Sequence, residues 1–153
     1  MAIEIERKFL VDVTKLPKLN GGTRILQGYL LARSPSIRVR IAGSKAFLTI
    51  KGKPHNHISR NEFEYEIPRI DGLELLKECK ELIITKTRYE VMHEDHLWEI
   101  DVFENENKGL IVAEIELDDE HEEFIMPPWV TSEISHDIRY TNASLSQLPY
   151  SQW

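Results

Sequence analysis

The sequence predicts a mainly β protein: an eight-stranded antiparallel β-barrel, closed on itself, with a few flanking helices. Three observations predict it. Gly, Pro, Asn and Asp cut the 153 residues into short segments of strand length. Within most segments charged and apolar residues alternate, which is the two-residue period of a strand. The polar face is charged on segment after segment, with acids on some and bases on others. An open two-layer sheet would leave all of that charge in solvent. A small closed barrel gathers it into one lumen, because alternate residues line its interior.

The elements follow in order. Residues 3–11 form a strand with Glu4, Glu6 and Lys8 on one face and Ile3, Ile5, Phe9 and Val11 on the other. Strands at 24–33, 36–42 and 45–52 come next. In them Ile37, Val39 and Ile41 alternate with Arg38 and Arg40, and Ala46, Leu48 and Ile50 with Phe47, Thr49 and Lys51. A strand at 60–68 sets Glu62, Glu64 and Glu66 against Phe63, Tyr65 and Ile67. Residues 71–82 are expected to be helical, with Asp71 as N-cap and Leu73, Leu75 and Leu76 as apolar anchors. Strands at 83–93, 96–104 and 110–118 carry Lys86, Arg88 and Glu90, then Glu99 and Asp101, then Glu114 and Glu116. The acidic stretch 118–124 reads as a second helix, stopped by Pro127-Pro128, and 142–148 as a short closing helix. With charge inside, the apolar face turns outward and needs partial cover from helices and crossing segments. No repeat or linker divides the chain, so one domain over residues 1–153 is expected.

Composition narrows the function. The chain is 41% hydrophobic and 29% charged, an ordinary globular balance. A net charge of −7 argues against binding duplex nucleic acid, though a small anion remains open because local charge can oppose net charge. The single Cys79 excludes an intrachain disulfide and fits a reducing compartment, so the expected location is cytoplasmic. No apolar run reaches about 18 residues and no leader is recognisable, so no membrane span is expected. Oligomeric state is not legible, and a homodimer stays open.

Two charged sets carry the chemistry. Glu4 and Glu6 on the first strand and Glu114 and Glu116 on the last converge if those strands are neighbours. Unpaired, four carboxylates would repel one another, so a hard divalent cation, Mg²⁺ or Mn²⁺, is expected among them. The basic set is Arg38, Arg40, Lys51, Lys86 and Arg88, joined by Lys8 and Arg139. Guanidinium forks match phosphate oxygens, and ammonium groups add point charges. Glu62, Glu64, Glu99 and Asp101 are expected to orient these bases, with Arg40 balanced by Glu62 or Glu64. Tyr29 stands either near the mouth of the lumen or in the core. His55 and His57 lack the further ligands of a metal site, and no Gly-rich phosphate loop is present.

These residues resemble the CYTH superfamily, the triphosphate tunnel metalloenzymes. The Glu-x-Glu-x-Lys signature stands as Glu4-Ile5-Glu6-Arg7-Lys8, and Gln-Gly-Tyr as Gln27-Gly28-Tyr29. Arg38-Val39-Arg40, Thr49-Ile50-Lys51, Arg60-Asn61-Glu62-Phe63-Glu64 and Lys86-Thr87-Arg88-Tyr89 follow in order. Glu99-Ile100-Asp101, Glu114-Ile115-Glu116 and Asp137-Ile138-Arg139-Tyr140 complete the set. The resemblance implies a tunnel that binds a triphosphate and needs a divalent cation. It implies hydrolysis of inorganic triphosphate to pyrophosphate and phosphate, as in the small bacterial members. Glu4, Glu6, Lys8 and Glu116 would be catalytic, with Glu4, Glu6, Glu114 and Glu116 on the metal. Arg38, Arg40, Lys51, Lys86, Arg88, Tyr29 and Arg139 would face the substrate. The alternatives are a class IV adenylyl cyclase, a thiamine or nucleoside triphosphatase, or a non-catalytic polyphosphate-binding module. The His-Phe pair that precedes the signature in many such cyclases is missing here.

Overall fold

The structure, a computed structural model, describes residues 3–153. Nine strands form in sequence order: β1 (Ile3–Val11), β2 (Thr23–Leu31), β3 (Ser36–Ala42), β4 (Lys45–Lys51), β5 (Ser59–Ile67), β6 (Ile84–His93), β7 (His96–Phe103), β8 (Ile111–Glu116) and β9 (Val130–Glu133). Neighbours run β5-β4-β3-β2-β6-β7-β8-β1, all antiparallel, and β1 pairs back onto β5 to close an eight-stranded barrel. The ninth strand was not foreseen. It takes the edge of β1 that β5 has left: Ile3–Ile5 pair with β5, while Phe9 and Val11 pair with β9.

The predicted faces hold. Register sets Glu6 opposite Glu116, Lys8 opposite Glu114, Arg38 opposite Tyr29 and Thr49, and Arg88 opposite Asp101. Charge therefore lines the interior over part of its length. At one end the same interior-facing rows turn apolar. Leu10, Ile84, Phe103 and Val112 pack there with Leu110, Ile134 and Leu145. Leu145 comes from helix α2 (Asn142–Gln147), the expected closing helix, which Thr141 caps through Ser144 N–H.

The outer apolar face is covered in patches. Helix α1 (Arg69–Lys77) lies across β3 and β4, with Gly72 against Ile41 and Ala46. It starts and ends earlier than the predicted 71–82. Pro68 precedes it with the fixed φ that suits a helix start, so Asp71 falls in the first turn rather than at the cap. The chain then leaves the helix to lie over β2, where a Cβ on Gly28 would come within 2.7 Å of Cys79 Sγ and 2.8 Å of Ile83 Cδ1.

The predicted helix at 118–124 does not form. Glu122 Oε1 accepts from Asp118 N–H and Asp119 Oδ1 from His121 N–H, so side chains satisfy the backbone of a turn instead. The segment carries Phe124 and Trp129 onto Phe9 and Trp98, in tilted and edge-on contacts with centroids 5.6–6.2 Å apart. Phe63 and Tyr65 on β5 stay largely exposed. Among the described residues no helix is long and apolar enough to cross a membrane.

Candidate active site in the barrel lumen

The interior rows enclose a cavity of about 480 Å³, the size of a small-molecule site. Its lining includes Glu4, Glu6 and Lys8 from β1, Tyr29 from β2, Arg38 and Arg40 from β3, and Lys51 from β4. Glu62 and Glu64 from β5, Lys86 and Arg88 from β6, Glu99 from β7, and Glu114 and Glu116 from β8 complete the ring. Residues scattered over more than a hundred positions meet because each is an alternate residue of a strand that faces inward.

The cations are held by a layered set of acids. Lys86 and Asp101 are both fully buried, 2.6 Å apart. Asp101 also takes a two-pronged contact from Arg88, at 2.7 and 2.9 Å. Burial alone would push Asp101 up, but Lys86 and Arg88 hold it far below the usual carboxylate range. Arg88 reaches Glu99 at 3.3 Å and Glu114 at 3.5 Å. Lys51 bridges Glu4 at 3.0 Å and Glu62 at 3.3 Å. Arg38 contacts Glu64 at 3.5 Å and Thr49 Oγ1 at 3.2 Å, and its buried Nε has no protein partner.

Arg40 departs from expectation. It was to be balanced by Glu62 or Glu64, yet those acids serve Lys51 and Arg38, and no carboxylate lies within 4.0 Å of it among the described residues. Among the described residues its one side-chain partner is Gln27 Oε1, at 2.9 Å. Burial first, then the Arg38 and Arg88 charges, push its guanidinium down to about 10. Uncompensated Arg40 is a group that an anion in the cavity would satisfy.

The four carboxylates are also divided. Among the described residues no three acidic or histidine side chains stand close enough to share one ion, so the expected four-carboxylate cluster is not assembled. Glu4 is spent on Lys51, and Glu114 on Lys8 at 3.7 Å and on Arg88. Those cations hold Glu4 low and Glu114 at about 2, against the upward push of burial. Glu6 and Glu116 face each other in register and have no ion-pair partner among the described residues. Burial, then Glu114 and Glu4, hold Glu6 well above its ordinary value; burial and Glu4 raise Glu116. Two uncompensated carboxylates beside a cavity suit a hexacoordinate Mg²⁺ or Mn²⁺, which takes one or two carboxylates and completes its shell with water and phosphate oxygens.

One predicted contact is absent. Arg139 lies outside the cavity: it is 59% exposed, pairs with Asp137 at 2.7 Å and stacks 4.7 Å from the Trp153 ring. Asp137 caps the short turn at Ile138–Tyr140 and draws the guanidinium away from the lumen. Asp101 lies beneath the cavity wall rather than on it, as a support. The sequence reading also missed partners. Gln27 and Asn142 join Arg40 to Lys86, and Arg60, opposite Glu4, lines the cavity. The apolar plug had a signal in the alternation: Glu6-x-Lys8 continues to Leu10, Glu99-x-Asp101 to Phe103, and Glu116-x-Glu114 back to Val112.

Comparison with known proteins adds a second line. The model of the CYTH domain family matches residues 2–147. The inorganic triphosphatase of Acetivibrio thermocellus is 42% identical over 152 residues, covering 98% of this chain and 97% of that protein. The inorganic triphosphatase of Nitrosomonas europaea is 35% identical over 149 residues, covering 94% and 96%. The solved inorganic triphosphatase NE1496 superposes with a TM-score of 0.68 at 33% identity, over 95% of each chain. A putative adenylyl cyclase from Hippeastrum, HpAC1, described as having a dominant triphosphatase activity, shares the fold with a TM-score of 0.57 at 16% identity.

Proposed function

The chain belongs to the CYTH domain family, and from that premise we propose that it hydrolyses inorganic triphosphate to pyrophosphate and phosphate with Mg²⁺ or Mn²⁺. One observation carries the proposal. One cavity, open to solvent, sets five basic side chains on β3, β4 and β6 opposite the unpaired Glu6 and Glu116 on β1 and β8. Arg38 and Arg40 offer free guanidinium donors, while Lys51, Lys86 and Arg88 add charge from the facing walls. Together they hold a linear phosphate chain and draw off the charge that develops on the leaving pyrophosphate.

Glu6 and Glu116 would hold the cation, with Glu4 and Glu114 beside them. The bound cation supplies charge neutralisation and a water of lowered pKa. Lys8 Nζ, 3.7 Å from Glu114 and also on the cavity lining, would position the attacking water or meet the terminal phosphate. The water oxygen bonds to the terminal phosphorus, the bridging P–O bond breaks, and the water's proton passes to a carboxylate of the acidic set. Tyr29 is the only Phe, Tyr or Trp among the described residues lining the cavity, it is 7% exposed, and the other aromatic rings there are the imidazoles of His57 and His136. The lining is dominated by charged side chains rather than large apolar rings, which favours the bare phosphate chain. The reading keeps the cytoplasm, where the free thiol of Cys79 stays reduced.

The test is phosphate release from triphosphate, ATP, thiamine triphosphate and pyrophosphate, each with Mg²⁺ and with Mn²⁺. Turnover of triphosphate above the rest, abolished by a chelator and restored by the metal, is expected. A cyclic nucleotide formed from ATP, or full activity in excess chelator, would overturn the proposal.

A further inference from the structure

Most of the lumen's cations are held by carboxylates, but Arg40 is held by an amide. Gln27 is fully buried, and its side chain sits between two partners. Its Oε1 accepts from Arg40 Nε at 2.9 Å, and its Nε2 donates to Asn142 Oδ1 at 2.7 Å. The same Asn142 oxygen accepts from Lys86 Nζ at 3.0 Å. The chain of contacts runs Arg40–Gln27–Asn142–Lys86, from β3 through β2 to the first residue of α2 and onto β6.

A carboxylate at position 27 would orient Arg40 equally well and cancel its charge. The amide gives the orientation without the charge, because a carbonyl oxygen accepts one guanidinium N–H and leaves the rest of the group cationic. Among the described residues Arg40's terminal nitrogens have no hydrogen-bond partner and are not buried, and Arg40 lines the cavity, so they open to it.

We infer that Gln27 is a positioning residue, a neutral amide anchored through Asn142 to the buried Lys86, that aims Arg40 at the substrate while keeping Arg40 free of a counterion. The inference rests on the triphosphatase reading. It is tested separately from it, by coupling between residues rather than by the presence of activity.

The experiment is a double-mutant cycle on the metal-loaded enzyme, with kcat, KM and melting temperature measured for wild type, Gln27→Ala, Arg40→Ala and the double variant. If Gln27 acts through Arg40, Gln27→Ala lowers kcat/KM about tenfold alone and by less than about twofold in the Arg40→Ala background. Additive losses would overturn the inference.

Gln27→Glu is the second arm. It keeps size and the acceptor facing Arg40, gives Arg40 a counterion, and loses the donor to Asn142 Oδ1. KM for triphosphate should rise roughly tenfold or more while the melting temperature holds or rises, since the new charge pairs with Arg40. An unchanged KM in a folded Gln27→Glu protein would likewise refute the role. If wild type fails to turn over triphosphate, the same cycle read as triphosphate affinity by calorimetry decides the inference independently of the proposed reaction.

Discussion

Replacing Glu62 with glutamine should stabilise the metal-free protein at alkaline pH and leave it unchanged in acid. Glu62 shares Lys51 with Glu4, at 3.3 and 3.0 Å. Burial first, then the charge of Glu4 and a hydrogen bond with it, raise the Glu62 carboxyl from 4.5 to about 7. Below pH 4.5 the group is protonated in both folded and unfolded chains, and it contributes nothing. Between 4.5 and 7 the folded protein keeps a proton that the unfolded chain has released, so stability falls as pH rises; above 7 the loss is complete.

That interval, at about 1.4 kcal/mol per pH unit, amounts to roughly 3 kcal/mol. The side chain is 24% exposed, and solvent screening reduces the expected gain to about 1–3 kcal/mol. Glutamine never ionises, and Lys51 keeps Glu4 as its partner. For a chain of this size the gain is roughly 3–10 °C in melting temperature at pH 8. Urea unfolding followed by tryptophan fluorescence, in chelator, from pH 4.5 to 8.5, measures the difference. A gap between the two proteins that does not grow with pH, or a Glu62→Gln protein less stable at pH 8, would refute the reasoning.

Other perturbations follow from the same contacts. Glu116→Gln should lower kcat on the order of 10²-fold with the fold intact, since it removes one of two unpaired carboxylates. The control is exposed Glu106→Gln; equal loss in both would deny Glu116 a place at the cation. Asp101→Asn leaves Lys86 and Arg88 without their shared counterion and should cost about 3–5 kcal/mol in urea unfolding. An unchanged midpoint would mean that the lumen solvates those cations on its own. Gly72→Ala puts a Cβ 2.7 Å from Ala46 Cβ and 2.8 Å from Ile41 Cδ1. Overpacking of about 1–3 kcal/mol should outweigh the roughly 1 kcal/mol gain in helix propensity, so a raised melting temperature would contradict the packing of α1.

The sequence by itself determined the faces. Alternation is local: in Glu4-Ile5-Glu6-Arg7-Lys8 each carboxylate must lie on the opposite side from its neighbour, whatever the rest of the chain does. Repeating that pattern with acids and bases leaves closure as the arrangement that brings opposite charges together. The eight barrel strands, the proximity of the first to the last, and the cavity's main lining were therefore legible. The closing helix expected at 142–148 forms over Asn142–Gln147, where the structure shows Thr141 as its cap. The one expected at 118–124 does not form, because its Asp and Glu side chains compete with helical backbone bonds as readily as they support them.

Only the tertiary structure decided which charge meets which. Two residues on inward faces come within 4 Å or stand apart according to the stagger between strands, and alternation carries no information about stagger. That is why Arg40 meets Gln27 and not Glu64, why Glu4 and Glu114 are spent on Lys51, Lys8 and Arg88, and why Glu6 and Glu116 remain unpaired. Arg139 shows the same limit at short range. The turn capped by Asp137 carries it to Trp153, outside the lumen its motif had assigned it. A strand's period fixes the side of the sheet on which a charge lies; its partner is set by register and packing across residues far apart in the chain.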